Sequence, residues 1–322
     1  MLLPRFFPLS YFADDLVRSG YDSWGIAVNA RSETQIVVKK RIGKIGSATV
    51  DDLPASNFGL GHTRWATHGG VTQRNAHPHL DCSGRIALVH NGIIENYEEL
   101  RRSLRSGHTF RSQTDTEVAI HLIEELAERL PFREAVRRAF LKFTGLNALI
   151  VMHPQSRTFV AARNGSPLVA GYGNGENLIA SDAPALLPHT RSVYFLEDND
   201  LVVIGKDRIG VFSASTGKPK TVKSRRLTWN VKQAEKGKYP HFMIKEIHEQ
   251  PAMLVGIART GVGSAKKLAK QIDNAQGSYI LGCGTAAYAG IAGSYLFSKI
   301  TGHHIIPAIG SEFTYHADFL TP

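Results

Sequence analysis

A chain of 322 residues exceeds one ordinary domain of roughly 100–200 residues, so two folding units are expected. A hydrophobic share of 43% and a charged share of 20% exclude disorder on a large scale, and no apolar run reaches the roughly 20 residues that span a bilayer. The 38 Lys+Arg against 28 Asp+Glu give +10, but the bases are scattered and the short run Val222-Lys223-Ser224-Arg225-Arg226 reads as a solvated hairpin or linker, so neither a nucleic acid nor a membrane is expected as partner.

In chain order, the opening Met1–Leu9 is apolar with one arginine but carries two prolines and no small-residue cleavage site, which argues against a secretory leader. Two cysteines, Cys82 and Cys283, form neither a disulfide framework nor a metal-binding cysteine pattern; they fit a reducing compartment, and the cytoplasm is expected. Short runs bounded by Gly, Asn, Asp or Ser predict strands at 25–30, 35–40, 59–66 and 85–90. Helices are predicted over 96–106, with Asn96 as its cap, and over 115–130, where Val118, Leu122, Leu126 and Leu130 recur at helical spacing; a third runs over 132–143. Strands follow at 148–152, 158–162, 167–170, 178–181, 193–196 and 201–213, completing a layered α/β domain that ends near residue 230. After the polar stretch 218–238, helices at 241–255 and 264–275 lead into Ser278-Tyr279-Ile280-Leu281-Gly282, a glycine-rich turn, another helix and a strand at 304–309, the order in which an open parallel sheet begins.

Two segments carry chemistry. Gly61-His62-Thr63-Arg64-Trp65-Ala66-Thr67-His68-Gly69 offers an arginine, a hydroxyl and an imidazole that together suit a carboxylate, since a guanidinium binds one through two parallel charged hydrogen bonds. Taken alone, Arg64 reads as a surface base, His68 as a loop histidine and Trp65 as a core aromatic. Val89-His90-Asn91-Gly92-Ile93-Ile94-Glu95-Asn96 offers an Asn-Gly corner, which is a common turn and also a way to aim the Asn91 amide and the Gly92 N–H at one developing negative charge. Asp115 opens a helix, as its cap or as a partner for an ammonium group. His62, His68, His77, His79 and His90 crowd one region at spacings that match no zinc pattern, so no metal is expected.

These segments occur in order with Asn75-Ala76-His77-Pro78-His79, Thr114-Asp115-Thr116-Glu117, Gly165-Ser166-Pro167-Leu168, Ala180-Ser181-Asp182, Tyr239-Pro240-His241-Phe242-Met243 and Lys245-Glu246-Ile247-His248-Glu249-Gln250-Pro251. In this the chain resembles the glutamine:fructose-6-phosphate amidotransferases (glucosamine-6-phosphate synthases), from about Gly20 to its end. The resemblance implies a four-layer αββα N-terminal-nucleophile hydrolase domain over 1–228 that lacks part of its first strand. A linker over 229–262 and an incomplete α/β sugar isomerase domain over 263–322 would follow. It also implies glutamine as the ammonia donor and fructose 6-phosphate as the acceptor, no cofactor, and a homodimeric full-length protein. Carried over residue by residue, Arg64, Thr67, His68 and Asp115 hold glutamine, Asn91 and Gly92 form the oxyanion hole, Trp65 gates ammonia, and Cys283-Gly284-Thr285 begins the sugar-phosphate site. In the family the mature chain begins with a cysteine whose thiol attacks glutamine and whose α-amine is the base. Here residue 1 is methionine, Arg18-Ser19-Gly20-Tyr21-Asp22-Ser23 displaces an arginine from beside the nucleophile, and the second isomerase domain lies beyond Pro322. The chain is therefore expected to be catalytically incomplete as written, the alternatives being a decayed gene product or a glutamine-binding pseudoenzyme. The absent first strand is expected to leave an unpaired sheet edge. A phosphoribosyl-pyrophosphate or asparagine-forming amidotransferase is the weaker match, because Leu281-Gly282-Cys283-Gly284-Thr285 and Ser311-Glu312-Phe313 suit a sugar isomerase.

Overall fold

A computed structural model of the chain describes residues 22–29, 35–45, 52–228, 237–313, 315 and 320. By contacts it divides into two compact units, Met1–Glu235 and Lys236–Pro322.

The first unit is built on stacked antiparallel sheets. Strands β1 (Ser23–Asn29), β2 (Ile36–Ile42) and β3 (Gly59–Arg64) form a three-stranded sheet in the order β2-β1-β3. Next come β4 (His79–Leu80), β5 (Ala87–Gly92), helices α1 (Tyr97–Ser103), α2 (Asp115–Ala127) and α3 (Phe132–Phe140), then β6 (Asn147–His153) and β7 (Thr158–Asn164). The rest of the unit is β8 (Val169–Tyr172), β9 (Asn177–Ala180), a 3-10 turn (Ala183–Leu186), β10 (Ser192–Phe195), β11 (Asp200–Ile204), β12 (Ile209–Ser213), β13 (Pro219–Lys220) and β14 (Arg225–Arg226). A seven-stranded sheet runs β13-β12-β11-β7-β6-β5-β4, and a four-stranded one β14-β10-β8-β9.

The period-2 alternation of each strand decides which layer a side chain enters. On β5, Ala87 and Val89 join Ala27, Leu60, Ile150, Ala161 and Ile179 between the sheets, whereas Leu88 turns the other way to Leu149, Val151 and the helix residues Val118, Leu122 and Val136. Ile150, fully buried in the middle layer, contributes about 2–3 kcal/mol by leaving water. The far face of the smaller sheets, with Trp24, Ile26, Val169 and Val193, is covered by Ala183, Leu186 and Leu187. Of the four expected layers, then, one outer layer is helical, and among the described residues the other is the 3-10 turn.

Several expected elements differ in detail. The run over 201–213 is a hairpin, β11 and β12, because Gly205 to Arg208 make the turn. The basic run around Arg225 ends in a strand paired with β10, and the two-residue strands β4 and β13 were too short for any pattern to reveal. Asn96 stands at the N-terminus of α1 but does not cap it: its amide bridges to the Thr144 N–H and the Lys142 carbonyl instead. The expected unpaired edge rests on the first strand, which with Arg18 falls on residues 1–21, outside the described residues; β1 itself is paired on both sides, with β2 and β3.

The second unit contains α4 (Phe242–Thr260), α5 (Val262–Asp273), β15 (Tyr279–Gly282), α6 (Thr285–Thr301), β16 (Ile306–Ile309) and the short α7 (Gly310–Phe313). The first helix runs through Pro251 and past the expected end at 255, so the stretch anticipated as a linker contains a helix of 19 residues. Strands β15 and β16 pair in parallel, as the strand–turn–helix–strand order predicts. Large apolar side chains stay exposed, among them Met243, Leu254, Tyr288, Leu296 and Ile300.

Candidate functional site

At the ends of β3 and β5, a cavity of about 450 Å³ is lined by His62, Arg64, Trp65, Thr67, His68, His77, His90, Asn91, Gly92, Asp115 and Ser181, among others. All the glutamine and oxyanion residues expected from the sequence border this one space, although they come from β3, the loop after it, β5 and the start of α2. Cys283, Gly284 and Thr285 lie in the second unit, at the turn from β15 into α6, where Gly284 adopts φ +56.

Alternation explains how two sheets meet at the cavity. Leu60 packs between the sheets, so His62 and Arg64, at steps of two along β3, leave that strand on the same face. On β5, Asn91 shares the face of Ala87 and Val89. His62 and Asn91 therefore confront each other across the layers, with His62 Nε2 2.8 Å from Asn91 Oδ1. Burial brings the His62 imidazole down to about 3, so the ring is neutral at neutral pH. Its Nε2–H donates to Asn91 Oδ1, and among the described residues this leaves the Asn91 Nδ2 hydrogens uncommitted and the buried His62 Nδ1 without a hydrogen-bond partner.

The other histidines form a scaffold under the cavity. His77 stacks on His62 with centroids 4.4 Å apart, and its Nδ1 accepts from the His90 N–H at 3.2 Å. His90 lies 3.1 Å from Thr116 Oγ1 through Nδ1 and 2.8 Å from Asn147 Oδ1 through Nε2, while His79 meets Thr114 Oγ1 at 3.0 Å. Burial lowers the pKa of His77, His79 and His90 as well. The crowd of histidines was visible in the sequence, but His77 precedes β4, His79 opens it and His90 lies on β5, so no spacing within one strand signals the arrangement.

Arg64 borders the cavity, is only 4% exposed, and donates from Nη2 to the His68 carbonyl and from Nη1 to the Gly70 carbonyl at 3.2 Å. It thus ties down the loop that carries Thr67 and His68, and burial pulls its pKa down against the opposing pull of Asp115 and Asp22. The loop is further pinned where the Ala66 N–H donates to Asp22 Oδ2 at 2.8 Å, and the His68 ring meets Tyr97 edge-on. Trp65 is 66% exposed, so it is not a core aromatic. Asp115 is not the cap of α2: Thr114 is, its hydroxyl accepting from the Glu117 N–H at 3.3 Å. Asp115 occupies the first helical position and spends Oδ2 on the Ile94 N–H at 2.8 Å and Oδ1 on the Thr116 N–H at 2.9 Å. It thereby joins the segment after Gly92 to the helix N-terminus. Gly92 takes φ +139, and a Cβ there would lie 2.0 Å from the Leu146 carbonyl oxygen.

A family model described as "Glutamine amidotransferase domain" matches residues 22–212, more than half of the chain. Glutamine-fructose-6-phosphate aminotransferases (isomerizing) are 44% identical over 305 residues in Thermus thermophilus and 43% over 304 residues in Pyrococcus horikoshii. Each match takes in 92% of this chain and 50% of the relative, so the chain spans about half the length of the curated relatives it matches. Among solved structures, the glutamine phosphoribosylpyrophosphate amidotransferase of B. subtilis aligns at a TM-score of 0.57 and 18% identity, covering 94% of this chain and 64% of that one. The allosteric regulatory enzyme of purine biosynthesis aligns at 0.54 and 22%, covering 69% and 47%. At those identities the likeness is one of fold, the N-terminal-nucleophile hydrolase type. From the domain match, the similar relatives and this shared fold, the chain belongs to the glutamine amidotransferase family.

Proposed function

We propose that the cavity binds glutamine, and that the chain is the glutamine-using part of an enzyme that makes glucosamine 6-phosphate from fructose 6-phosphate. The observation that carries this is convergence: Arg64, Thr67, His68, Asn91, Gly92 and Asp115, from three separate segments, border one space. In this reading Arg64, Thr67 and His68 meet the α-carboxylate, Asp115 meets the α-ammonium, and the uncommitted Asn91 amide with the Gly92 N–H stabilises the negative charge of the tetrahedral intermediate. Neutral His62 holds the Asn91 amide in the donating orientation. The exposed indole of Trp65 gates the passage of ammonia, in a cytoplasmic protein whose full-length form is a homodimer.

The second unit is read as part of a sugar isomerase domain, with Cys283, Gly284 and Thr285 at the helix N-terminus beginning a phosphate site. Its parallel β15–β16 pair and its exposed apolar side chains support that reading.

A second reading, glutamine binding without hydrolysis, is favoured by one observation: no cysteine is among the described residues that line the cavity. Titration calorimetry and an ammonia-release assay on the full chain separate the two. Glutamine binding that weakens at least about tenfold in Asp115→Asn and Thr67→Val is expected under both. Binding with ammonia release supports the first, binding without it the second, and no binding by the folded chain overturns both.

A further inference from the structure

Away from the cavity, four potential ligands from three places in the chain converge. Cys82 lies in the turn after β4, His108 in the segment between α1 and α2, and His121 and Glu124 one helical turn apart on α2. One ligand atom from each lies within 4.8 Å of the other three. We propose that these four residues form a binding site for a divalent cation of borderline softness, zinc foremost.

The spacing carries the argument. Zinc bonds of about 2.3 Å to sulfur and about 2.0–2.1 Å to nitrogen or oxygen, at tetrahedral angles, separate sulfur from nitrogen by about 3.5 Å and nitrogen from oxygen by about 3.4 Å. Cys82 Sγ stands 3.4 Å from His108 Nδ1 and 3.6 Å from His121 Nδ1. Glu124 Oε2 stands 3.2 Å from His108 Nδ1 and 3.0 Å from His121 Nδ1. Both imidazoles thus present the same nitrogen to the same sulfur and the same oxygen.

The surroundings are those of a metal's supporting shell. His108 Nε2 lies 2.9 Å from Glu125 Oε1, and a carboxylate behind a ligating histidine is its usual support, fixing the ring so that Nδ1 faces the other three ligand atoms. The Cys82 N–H donates to Glu124 Oε1 at 3.1 Å, which sets the direction of Oε2. A mixed set of thiolate, imidazole and carboxylate suits zinc better than magnesium or calcium, which take oxygen ligands. The site would clasp the segment after α1 to α2, and that segment continues into Ser112, Gln113 and the Thr114 cap beside Asp115.

The test uses the full chain, stripped with a chelator and titrated with Co²⁺. The expected result is one Co²⁺ per chain, with a thiolate-to-cobalt charge-transfer band and tetrahedral d–d bands that Zn²⁺ bleaches by displacement. Cys82→Ser should abolish the charge-transfer band. Glu125→Gln, which removes no ligand, should weaken binding about 10- to 100-fold with an unchanged far-ultraviolet circular dichroism spectrum. The proposal is overturned if the folded chain binds no Co²⁺, which would leave a proton-bonded His–Glu network. It is equally overturned if the cobalt spectrum survives Cys82→Ser, which would put the metal elsewhere. None of these readouts depends on glutamine, so the fate of the cavity reading does not decide this one.

Discussion

Gly92→Ala is the sharpest test of how β5 meets the cavity. A Cβ at this position would lie 2.0 Å from the Leu146 carbonyl oxygen, 3.0 Å from Asn147 Cα and 3.0 Å from His90 Nε2, and the backbone has φ +139. Leu146 precedes β6, and Gly92 pairs with Asn147 in the last rung of the β5–β6 ladder, so relief requires two strands to separate by more than 1 Å (about the shortfall from ordinary contact). The non-glycine conformation costs about 1–3 kcal/mol and the overpacking about 1–3 kcal/mol. Opening the rung also weakens the Ile93 N–H to Leu146 carbonyl bond, worth about 1 kcal/mol. Reduced freedom of the unfolded alanine chain returns about 0.5–1 kcal/mol, for a net loss of about 2–6 kcal/mol. Urea unfolding followed by tryptophan fluorescence measures it, because the chain's tryptophans, Trp24, Trp65 and Trp229, all fall within Met1–Glu235. Gly70→Ala is the control: nothing lies within 4 Å of its Cβ position, so the change should stay within about 0.5 kcal/mol. If Gly92→Ala unfolds within about 0.5 kcal/mol of the parent with the same denaturant slope, the steric reasoning is wrong.

Two further outcomes concern pH. The folded pKa of His62 is lowered to about 3 against an unfolded value near 6.5, so the folded state binds fewer protons and its stability falls as pH drops from 6.5 toward 3. His62 alone should contribute a loss of about 2 kcal/mol by pH 5, flattened in His62→Gln, and urea midpoints that stay level over that interval would count against a buried neutral ring. Lys40 is held at about 8 by burial, with Glu117 opposing the shift, so below pH 8 its charge penalises the fold and the penalty fades as pH rises to about 10.5. Lys40→Met should therefore be more stable than the parent by about 2–3 kcal/mol at pH 7, with the gap closing by pH 10.5; a gap independent of pH would refute the assignment.

Much of this molecule was legible locally. Alternation in β5 and the helical spacing of Val118 and Leu122 each express a period that neighbouring residues impose on one another, and the structure places them in the layers those periods require. The pocket segments were likewise visible, since an arginine, a hydroxyl, an imidazole and an Asn-Gly corner announce themselves by type. Their partners were not. That Arg64 spends donors on the carbonyls of its own loop, that Thr114 and not Asp115 caps α2, and that Asp115 holds the Ile94 N–H are choices among competing acceptors, decided by where the chain returns in space.

The sequence by itself carried the family resemblance in its ordered motifs, most strand and helix types in their local periodicity, and the side chains that border the cavity in their chemistry. Only the tertiary structure decided that His62 faces Asn91 across two sheets, or that Cys82 meets His108, His121 and Glu124. Those contacts join residues 26 to 42 positions apart, and no spacing rule reaches across a separation whose ends are brought together by packing elsewhere in the fold.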